Sequence, residues 1–547
     1  MENQFNDNFF DKETFNIVSL FFENAKKYPQ KIALIDARRQ ISFADLAEEV
    51  IQTSLYFQKK GIKKGDRVLI FVGMRIDLYR IVLALFNIGA VAVFLDVWVS
   101  KKRMEECCKN IDCQAFVGVL KARILSVFSK ELRKIPIHLG IYFDKIYPEI
   151  PHQQTPTYPQ DIALITFTTG STGTPKGAIR THQILYAQFR ALMDKINPQP
   201  NEINMTSLPI MLFINLAGGI TSVIPNAKLR RLDLLKPKKI IKQIQQYHIN
   251  SLIASPFFIK KIAEYVLDNQ LNISEITKIF TGGAPIFVQE ATCYLQAFPT
   301  AHIEVVYGST EAEPISSILA CDIIQNSLEK IDTLQGLSVG KIDKSTTIKI
   351  ILLGANIQKN KVENRQDFER YFLPAYQVGE IIVSGNHVLQ HYFNNDLAEK
   401  QNKIWIEGKC WHITGDSGYL DKDNHLFLTG RCDTIIQHNQ NFIYPFVYED
   451  ILSQIPNIMM ATVLKINEKI TIFIELKKTF GTKKIKKNNI ENQVITAIKA
   501  SNIFYQDIIF IKKMPRDPRH YTKIDYQKLR NMFYDGFKQT KPRKYKI

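Results

Sequence analysis

A short apolar run that leads into a glycine- and hydroxyl-rich segment constrains the fold of this chain more than any other feature. The run Ile162 to Ile165 has the length and branching of a buried strand, and residues 166–177 read TFTTGSTGTPKG. Open α/β sheets bind ligands at the carboxyl ends of such strands. Glycines let the backbone approach an anion, and the hydroxyls and the Lys176 ammonium add donors and positive charge. The sequence therefore predicts a phosphate-binding loop here.

The segment differs from the nucleotide-binding loop of P-loop proteins. Lys176 is followed by glycine rather than by Ser or Thr, and the gap of four residues between two glycines is missing. A flexible turn rich in Ser, Thr and Gly is the alternative interpretation of its composition. The order of further motifs along the chain decides between the two.

Those motifs follow the loop at long intervals. They are Thr181-His182, GGAP at 282–285, YGSTE at 307–311, Gly379-Glu380, TGD at 414–416, Gly430-Arg431 with Asp433, and Lys523 within RHYTKI at 519–524. In this order they resemble the signatures of the AMP-forming ligase superfamily, which contains acyl-CoA synthetases, peptide-synthetase adenylation domains and luciferases. The resemblance extends from Phe15 to about Phe533. It favours the phosphate-binding interpretation of the loop.

The resemblance implies that residues spread over the chain bind ATP. They are Thr168, Thr169, Gly170, Ser171, Thr172, Gly173, Lys176, Gly283, Ala284, Tyr307, Gly308, Asp416 and Arg431. By resemblance, the loop and Lys176 hold the β- and γ-phosphates, and Gly283 and Tyr307 flank the adenine. Asp416 accepts both ribose hydroxyls, with Arg431 as its cationic companion.

Three residues are expected to serve the reaction itself. Attack of a carboxylate on the α-phosphorus of ATP brings two anions together, so the enzyme's task is mainly electrostatic. By resemblance, Thr310 bonds the α-phosphate and Glu311 holds the Mg²⁺ that neutralises the triphosphate. Lys523 is the mobile lysine that reaches between the carboxylate and the α-phosphate when a cap domain closes.

Strand-like runs alternate with helical ones over most of the chain. Residues 67–72, 90–95 and 115–119 are short β-rich segments separated by helical patterns, which is typical of parallel sheets. The prediction is a large α/β N-terminal domain over residues 1–430, built of stacked sheets with flanking helices. A small α+β cap domain over residues 431–547 follows, with strands at 460–466, 470–476 and 508–511 and a basic tail. By resemblance, Asp433 is the hinge between them.

Charge and composition bear on partners and location. The net charge is +18, and much of the excess lies in residues 477–487 and 538–546. Solvated surface is the first interpretation of these segments, and weak membrane-surface contact is the alternative. No nucleic-acid partner is expected, because regularly interleaved aromatics are missing. The seven cysteines fit free thiols, and the lack of a signal-peptide pattern or a membrane span predicts a cytoplasmic protein.

The acyl group is expected to be hydrophobic. Residues 207–226, which together with 255–260 should line the acyl pocket, contain no charged side chain. An amino-acid substrate would require a buried carboxylate for its ammonium group. By resemblance, Asn215 stands where peptide-synthetase domains carry that acid. An aliphatic or aromatic acid, such as a fatty acid, fits better.

The acceptor of the activated acyl group is less constrained. Family frequency favours the thiol of CoA or of an acyl carrier protein. Many relatives have a lysine and then a glycine after the hinge, and the glycine lines the tunnel for the pantetheine arm; this chain has Gln437 and Gln440. Residues 209–225 and 517–524 resemble the olefin-pathway β-lactone synthetases, in which the substrate's own β-hydroxyl captures the carboxyl without a thiol. A non-catalytic nucleotide-binding protein is a further alternative, which the presence of Lys523, Glu311 and Asp416 disfavours.

Overall fold

The computed structural model describes residues 13–95, 101–142, 154–169, 175–229, 231–328, 336–355, 357, 362, 364–439, 441–477, 487–500, 504–517 and 521–534. Within these residues the strands are β1 (Ile32–Ile35), β2 (Gln40–Ser42), β3 (Arg67–Phe71), β4 (Val91–Phe94), β5 (Ala115–Gly118), β6 (Ile137–Leu139), β7 (Ile162–Thr169), β8 (Pro175–Thr181), β9 (Ile203–Thr206), β10 (Thr221–Val223), β11 (Ser251–Ala254), β12 (Lys278–Gly282), β13 (His302–Ser309), β14 (Ala312–Leu319), β15 (Leu337–Ile342), β16 (Thr347–Ile351), β17 (Gly379–Ser384), β18 (Lys403–Ile406), β19 (Lys409–Leu420), β20 (His425–Arg431), β21 (Ile436–His438), β22 (Asn441–Ile443), β23 (Ile458–Ile466), β24 (Lys469–Leu476) and β25 (Asp507–Ile511). The helices are α1 (Val18–Lys27), α2 (Phe43–Lys59), α3 (Ile76–Asn87), α4 (Lys101–Ile111), α5 (Leu120–Val127), α6 (His182–Ile196), α7 (Pro209–Ala217), α8 (Pro237–Gln246), α9 (Pro256–Asp268), α10 (Val288–Ala297), α11 (Ala320–Leu328), α12 (Arg365–Glu369), α13 (Asp396–Asn402), α14 (Pro445–Ser453), α15 (Lys487–Ala500) and α16 (Tyr526–Tyr534).

A six-stranded sheet carries the first predicted strands. Its order is β6-β5-β3-β4-β7-β8, and all neighbours are parallel except β7 and β8. The strands predicted at residues 67–72, 90–95 and 115–119 are confirmed to within one residue at each end as β3, β4 and β5. Their nearly continuous apolar sequences agree with parallel strands that are covered on both faces.

Strand β7 is longer than the apolar run that predicted it. It continues through Thr169, and Thr168 and Thr169 pair with Lys176 and Pro175 of β8. Threonine is β-branched and fits a strand as readily as isoleucine does, so the end of the apolar run was a poor marker of the strand's end. The glycine-rich segment connects the two strands of this hairpin. Its residues 170–174 lie outside the described part of the chain.

A larger sheet of 14 strands carries the later motifs. Its order is β16-β17-β19-β20-β15-β14-β13-β12-β11-β9-β10-β1-β2, with β18 paired to β19. The strands from β1 through β10, β9, β11 and β12 to β13 are parallel, and β13 through β14, β15, β20, β19 and β17 to β16 are antiparallel. The predicted motifs therefore lie on both halves of one sheet.

Helix α3 lies in the core between the two sheets. All 12 of its residues are buried, and it shares a hydrophobic cluster with Leu34 of β1 and Val68 of β3. A helix that is apolar on every side is stable only when it is covered all round. Its polar residues are accommodated internally: Arg80 pairs with Asp77 and donates a hydrogen bond to the carbonyl of Ile141 at 2.7 Å. The predicted α/β fold of stacked sheets with flanking helices is confirmed.

The chain beyond Arg431 forms separate small sheets in the described residues. Strand β21 pairs with β22, and β23 pairs with β24, which pairs with β25. Helices α14 and α15 share one hydrophobic cluster with this three-stranded sheet, and α16 shares another. The strands predicted at 460–466, 470–476 and 508–511 are confirmed. A domain boundary at 430/431 stays a prediction.

The described cysteines are free thiols, as predicted. Cys107, Cys108, Cys113 and Cys410 are buried, whereas Cys321 is exposed. Burial raises the pKa of the Cys113 thiol to about 12, so this group is a structural apolar side chain rather than a nucleophile. Among the described helices, none has both the length and the apolar character needed to cross a bilayer.

A buried carboxyl group lies in the last of these cores and should make stability depend on pH. Glu449 of α14 accepts hydrogen bonds from the hydroxyls of Thr462, at 2.7 Å, and Tyr526. Burial raises its pKa to about 7, whereas an unfolded chain would leave it near about 4.3. Between these values the folded protein binds a proton that the unfolded chain releases. Stability therefore falls as pH rises through this window.

We expect Glu449→Gln to flatten this pH dependence in urea unfolding measured between pH 5 and pH 8. Glutamine keeps the shape and the hydrogen-bond acceptor but does not ionise. Glu468→Gln, at an exposed position in the turn between β23 and β24, is the matched control. Parallel pH profiles for the wild type and Glu449→Gln would contradict the assignment.

Candidate active site

Neighbouring parallel strands of the large sheet end at one edge and bring several predicted residues there. Strand β12 leads into Gly283 and Ala284, and β13 leads into Thr310 and Glu311. The two strands approach so closely that a Cβ atom at Gly282 would lie 2.2 Å from the carbonyl oxygen of Val306. Gly283 follows with φ of +90°, a backbone conformation that favours glycine. The glycines thus turn the chain at the point where the motifs meet.

The β7–β8 hairpin supplies a buried lysine. Lys176 lies opposite Thr168 in the hairpin and is 5% exposed. Burial lowers the pKa of its ammonium group, and the nearby Glu311 carboxylate partly opposes that effect. Of the predicted loop residues, Thr168 and Thr169 are strand residues, whereas Gly170, Ser171, Thr172 and Gly173 lie outside the described residues.

Arg180 connects this hairpin to the large sheet, and the sequence interpretation missed it. It donates hydrogen bonds to the Thr166 hydroxyl at 2.6 Å, to Gln188 at 3.1 Å and to the carbonyl of Thr310 at 2.7 Å. Burial lowers its pKa to about 10, so it remains charged at neutral pH. Arg180 directly follows the apolar residues Ala178 and Ile179 of β8, and a cation in such a position is the sequence signal that could have identified it, because buried charges are rare unless they are paired.

Tyr392 and Lys403 complete the surroundings of Glu311 and were also missed. The Tyr392 hydroxyl donates a hydrogen bond to Glu311 Oε1 at 3.1 Å. The ammonium groups of Lys176 and Lys403 lie 5.8 Å and 5.6 Å from the centre of its ring. Burial lowers the pKa of Lys403 to about 8. Neither residue belongs to a motif that the sequence interpretation used. Tyr392 is placed at the site by a β-bridge to Ala178 of β8.

The predicted ribose-binding pair is formed across two antiparallel strands. Asp416 of β19 lies directly opposite Arg431 of β20, and the guanidinium donates to Asp416 Oδ1 at 2.8 Å. The hydroxyl of Tyr307 donates to the other oxygen, Oδ2, at 2.7 Å. The carboxylate raises the pKa of Arg431, and burial together with that carboxylate raises the pKa of Tyr307. The three side chains therefore form one rigid group.

The loop that carries Lys523 is anchored against the large sheet. Tyr521, two residues earlier, packs against Phe257 in the first turn of α9, with 5.1 Å between the ring centres and an angle of 36° between the ring planes. Its hydroxyl donates to Asp233 at 3.1 Å, and its φ of +54° lies in the left-handed region. Because α9 begins just after β11, the contact brings the loop to the same edge of the sheet as Thr310. The predicted hinge, Asp433, accepts a hydrogen bond at its carbonyl from Arg530 at 3.2 Å.

The donor set at this edge fits ATP with Mg²⁺. Lys176 could supply a cation for phosphate oxygens, and Glu311 could supply a carboxylate of the kind that Mg²⁺ prefers. The buried hydroxyl groups of Thr281 and Ser309 have no hydrogen-bond partner within the described part of the protein. Buried hydroxyls are normally satisfied, so these two are available to a polar ligand at the strand ends.

The segment expected to line the acyl pocket forms α7 and β10. Asn215 is 1% exposed, and its amide donates to Asn204 and to the hydroxyl of Ser222, both at 2.9 Å. Both N–H donors of this amide are thus used within the protein. Helix α7 otherwise buries apolar side chains, including Met211, Leu212 and Leu216.

Comparison with known proteins agrees with this geometry. The family model for AMP-binding enzymes matches residues 21–393, well over half of the chain. The chain belongs to the AMP-binding enzyme family.

Relatives in this family cover nearly all of the chain. An olefin β-lactone synthetase from Xanthomonas campestris is 24% identical over 519 residues, which is 89% of this chain and 90% of the relative. The 4-coumarate–CoA ligase 2 of Nicotiana tabacum is 23% identical over 530 residues, 91% of each chain. The solved structure of O-succinylbenzoate coenzyme A synthetase from Bacillus subtilis, in complex with ATP and magnesium ion, has a TM-score of 0.74. It is 21% identical and covers 94% of this chain and 99% of that one.

The AMP-binding enzyme described here is therefore an AMP-forming ligase of the adenylate-forming acyl-CoA ligase superfamily. Enzymes of this superfamily use ATP with Mg²⁺.

The Asp416 group should control nucleotide affinity. We expect Asp416→Ala to weaken ATP binding by about tenfold or more, because hydrogen bonds to a charged group contribute roughly 1.5–3 kcal/mol each. Tyr307→Phe keeps the ring and removes one hydrogen bond to Asp416, so its effect should be smaller. Isothermal titration with ATP and Mg²⁺ measures both. Equal affinities for wild type and Asp416→Ala would contradict a ribose-binding role.

Proposed function

We propose that this AMP-binding enzyme activates a hydrophobic carboxylic acid with ATP and then transfers the acyl group to a thiol. In the first step the acid's carboxylate attacks the α-phosphorus, an acyl-adenylate forms and pyrophosphate leaves. In the second step a thiol such as that of CoA or of an acyl carrier protein displaces AMP. The observation that carries the proposal is the position of the Thr310–Glu311 turn, held by Arg180 and Tyr392 between Lys176 and the Asp416–Arg431 pair.

Each part of this arrangement suits one part of the nucleotide. The carboxylate of Asp416 would accept the ribose hydroxyls, and Gly283, Ala284, Tyr307 and Gly308 would contact the base. Lys176 and the hairpin connection would hold the β- and γ-phosphates, with Thr310 on the α-phosphate. Glu311 would hold Mg²⁺, which neutralises charge on the triphosphate when bound.

Arg180 would act by positioning rather than by contact. Its guanidinium fixes the carbonyl of Thr310 relative to the hairpin that carries Lys176. A preorganised group of this kind need not reorient when charge develops in the transition state. The same reasoning applies to the hydrogen bond from Tyr392 to Glu311.

Lys523 would supply the charge that joins the two reacting anions. A long, flexible side chain with a point charge can reach between a carboxylate and an α-phosphate oxygen. The second step needs other groups at the same site, so the part of the chain after Asp433 would rotate away between steps. The contacts of Tyr521 with Phe257 and Asp233 support an arrangement in which this loop faces the site during adenylation.

A hydrophobic acid is favoured because the α7 region offers no charge to a polar substrate. The buried Asn215 already spends its donors on Asn204 and Ser222. An amino acid's ammonium group requires an anionic acceptor, and residues 207–226 contain no carboxylate that could serve as one. Membrane-surface contact through residues 477–487 and 538–546, which lie largely outside the described residues, stays a prediction.

Acid-dependent exchange of pyrophosphate into ATP tests the activation step. We expect exchange with medium- or long-chain, hydroxylated or aromatic acids and little exchange with amino acids. The apolar α7 region is the physical reason for that preference. If no acid of these classes raises exchange above background, the proposed activation is wrong.

The lysine substitution separates catalysis from binding. Lys523→Ala should lower the exchange rate by roughly a hundredfold or more, the scale of losing one preorganised electrostatic contact, and leave ATP affinity unchanged. Lys513→Ala, at an exposed position in the same connection, is the matched control. Equal rates for the two variants would contradict the role given to Lys523.

A second candidate for the later step is internal capture by a β-hydroxyl group, which would form a β-lactone. It is favoured by the similarity to the olefin β-lactone synthetase over 89% of the chain. The hairpin after the hinge also turns without glycine: Asn439 takes φ of +53° between β21 and β22. Asparagine tolerates this conformation, but its side chain would occupy space that a glycine leaves open to a pantetheine arm.

Product identification decides between the two acceptors. Purified protein, ATP and Mg²⁺ are supplied with fatty acids and β-hydroxy fatty acids, with and without CoA, and products are identified by mass. Because the thioester is the first choice, we expect product only when a thiol is present. A product lighter by one water than the β-hydroxy acid, formed without thiol, would establish lactone formation instead.

A further inference from the structure

Helix α5 exposes an unusual concentration of apolar side chains. Leu120, Ile124, Leu125, Val127 and Phe128 are 69%, 53%, 67%, 60% and 72% exposed. We call these five residues the α5 face. Elsewhere in the described residues, no stretch of nine exposes more than two large apolar side chains. Of the helix itself, only Ser126 is buried.

This exposure is not explained by the fold. A surface helix normally directs its apolar residues at the core and its polar residues at solvent, whereas α5 directs apolar residues outward. Single exposed leucines are ordinary, but a contiguous apolar patch marks a surface that contacts a partner or a membrane. The α5 face therefore calls for an apolar environment outside the protein core.

Basic side chains surround the α5 face. Residues 120–134 contain Lys121, Arg123, Lys130, Arg133 and Lys134, all exposed, against a single carboxylate, Glu131. That carboxylate is paired with Lys134 at 2.8 Å. The segment thus has five positive groups and one negative group around its apolar residues.

The positive charge continues beyond the helix. The guanidinium of Arg123 lies beside Gly140, where a Cβ atom would be 3.3 Å from it. Two residues further, the hydroxyl of Tyr142 accepts hydrogen bonds from Arg38 and Arg75, both at 3.0 Å. Tyr142 is itself 69% exposed. Arg75 is paired with Asp77 at 2.5 Å, so the exposed Tyr142 ring and the exposed Arg38 are what this region adds to Arg123.

We propose that the α5 face docks on an anionic lipid bilayer. Apolar side chains of a helix that lies in the interface enter the boundary between headgroups and acyl chains, and Lys and Arg on its flanks meet the anionic headgroups. The Leu, Ile, Val and Phe side chains suit the acyl chains, and the flanking cations suit the anionic headgroups. The α5 face is separate in sequence from the basic segments at 477–487 and 538–546, and the docking does not depend on the activity proposed above.

Charge argues against a second copy of the chain as the occupant. Two α5 faces brought together would place five cations of one copy against five of the other, and like charges across an interface are unfavourable. The apolar centres of protein interfaces are also depleted of lysine. An anionic bilayer removes this repulsion and supplies the apolar layer.

Binding of the full-length protein to sucrose-loaded vesicles tests the proposal. The vesicles contain phosphatidylcholine alone or phosphatidylcholine with about 30% phosphatidylglycerol, since anionic lipid sets the electrostatic attraction. Three double variants are compared with wild type. They are Leu125→Ser with Phe128→Ser, Lys121→Glu with Arg123→Glu, and the control Leu352→Ser with Leu397→Ser, at sites 55% and 67% exposed.

We expect wild type and the Leu352/Leu397 control to bind anionic vesicles equally and neutral vesicles weakly. The Leu125/Phe128 variant should lose at least about tenfold in partition coefficient, because two large apolar side chains no longer enter the lipid. The Lys121/Arg123 variant should lose binding to anionic vesicles and most of its salt dependence. ATP affinity equal to wild type shows that each variant is folded.

Several results would overturn the proposal. The first is a wild-type protein that binds neither neutral nor anionic vesicles. Undiminished binding by the Leu125/Phe128 and Lys121/Arg123 variants would assign the attraction to the other basic segments. A wild-type dimer in light scattering that the Leu125/Phe128 variant converts to a monomer, without vesicle binding, would make the α5 face an interface between copies.

Discussion

A buried guanidinium group joins the two sheets at the active site, and the arrangement of the other site residues depends on it. Arg180 belongs to β8 of the six-stranded sheet, and its hydrogen bond to the carbonyl of Thr310 reaches the large sheet. A buried cation is tolerated only when its donors are satisfied, and Thr166, Gln188 and Thr310 satisfy this one. The hairpin with Lys176 and the turn with Glu311 are therefore held at a fixed separation. In the proposed function, this separation would let the Lys176 ammonium and the Glu311 carboxylate, through Mg²⁺, bind the same triphosphate.

The sequence predicted candidate site residues but not the residues that hold them in place. Asp416, Arg431 and Tyr307 lie in short motifs with glycine or threonine neighbours, and the structure brings the three side chains into contact. Arg180 and Tyr392 act through tertiary contacts with residues far away in sequence. The residues that precede and follow Arg180 and Tyr392 in the sequence do not indicate such contacts. Their roles could be inferred only once the two sheets were placed against each other.

For the fold, too, features with a local sequence signal could be predicted, whereas features set by distant contacts could not. Helix boundaries with a local signal were predictable: α2 begins after Ser42, whose hydroxyl accepts a hydrogen bond from the amide of Asp45. The end of β7 could not be predicted in this way. Pairing with β8 extends the strand through Thr168 and Thr169, which were expected to belong to the phosphate-binding loop. Strand length is set by the partner strand as much as by the strand's own residues. The central position of α3 likewise depends on two sheets that no local pattern could assemble.

The anchoring of the Lys523 loop by Tyr521 bears on the timing of a catalytic cycle. One aromatic contact contributes about 0.5–1.5 kcal/mol beyond its buried area, and one hydrogen bond contributes about 1 kcal/mol. Contacts of that strength favour the position of the loop seen here but can be broken without unfolding the protein. Residence of the lysine at the site would then be governed by an aromatic residue that takes no part in the chemistry. Phe257 belongs to the segment 255–260 that is expected to line the acyl pocket. It would lose its contact with Tyr521 whenever the Lys523 loop moves away.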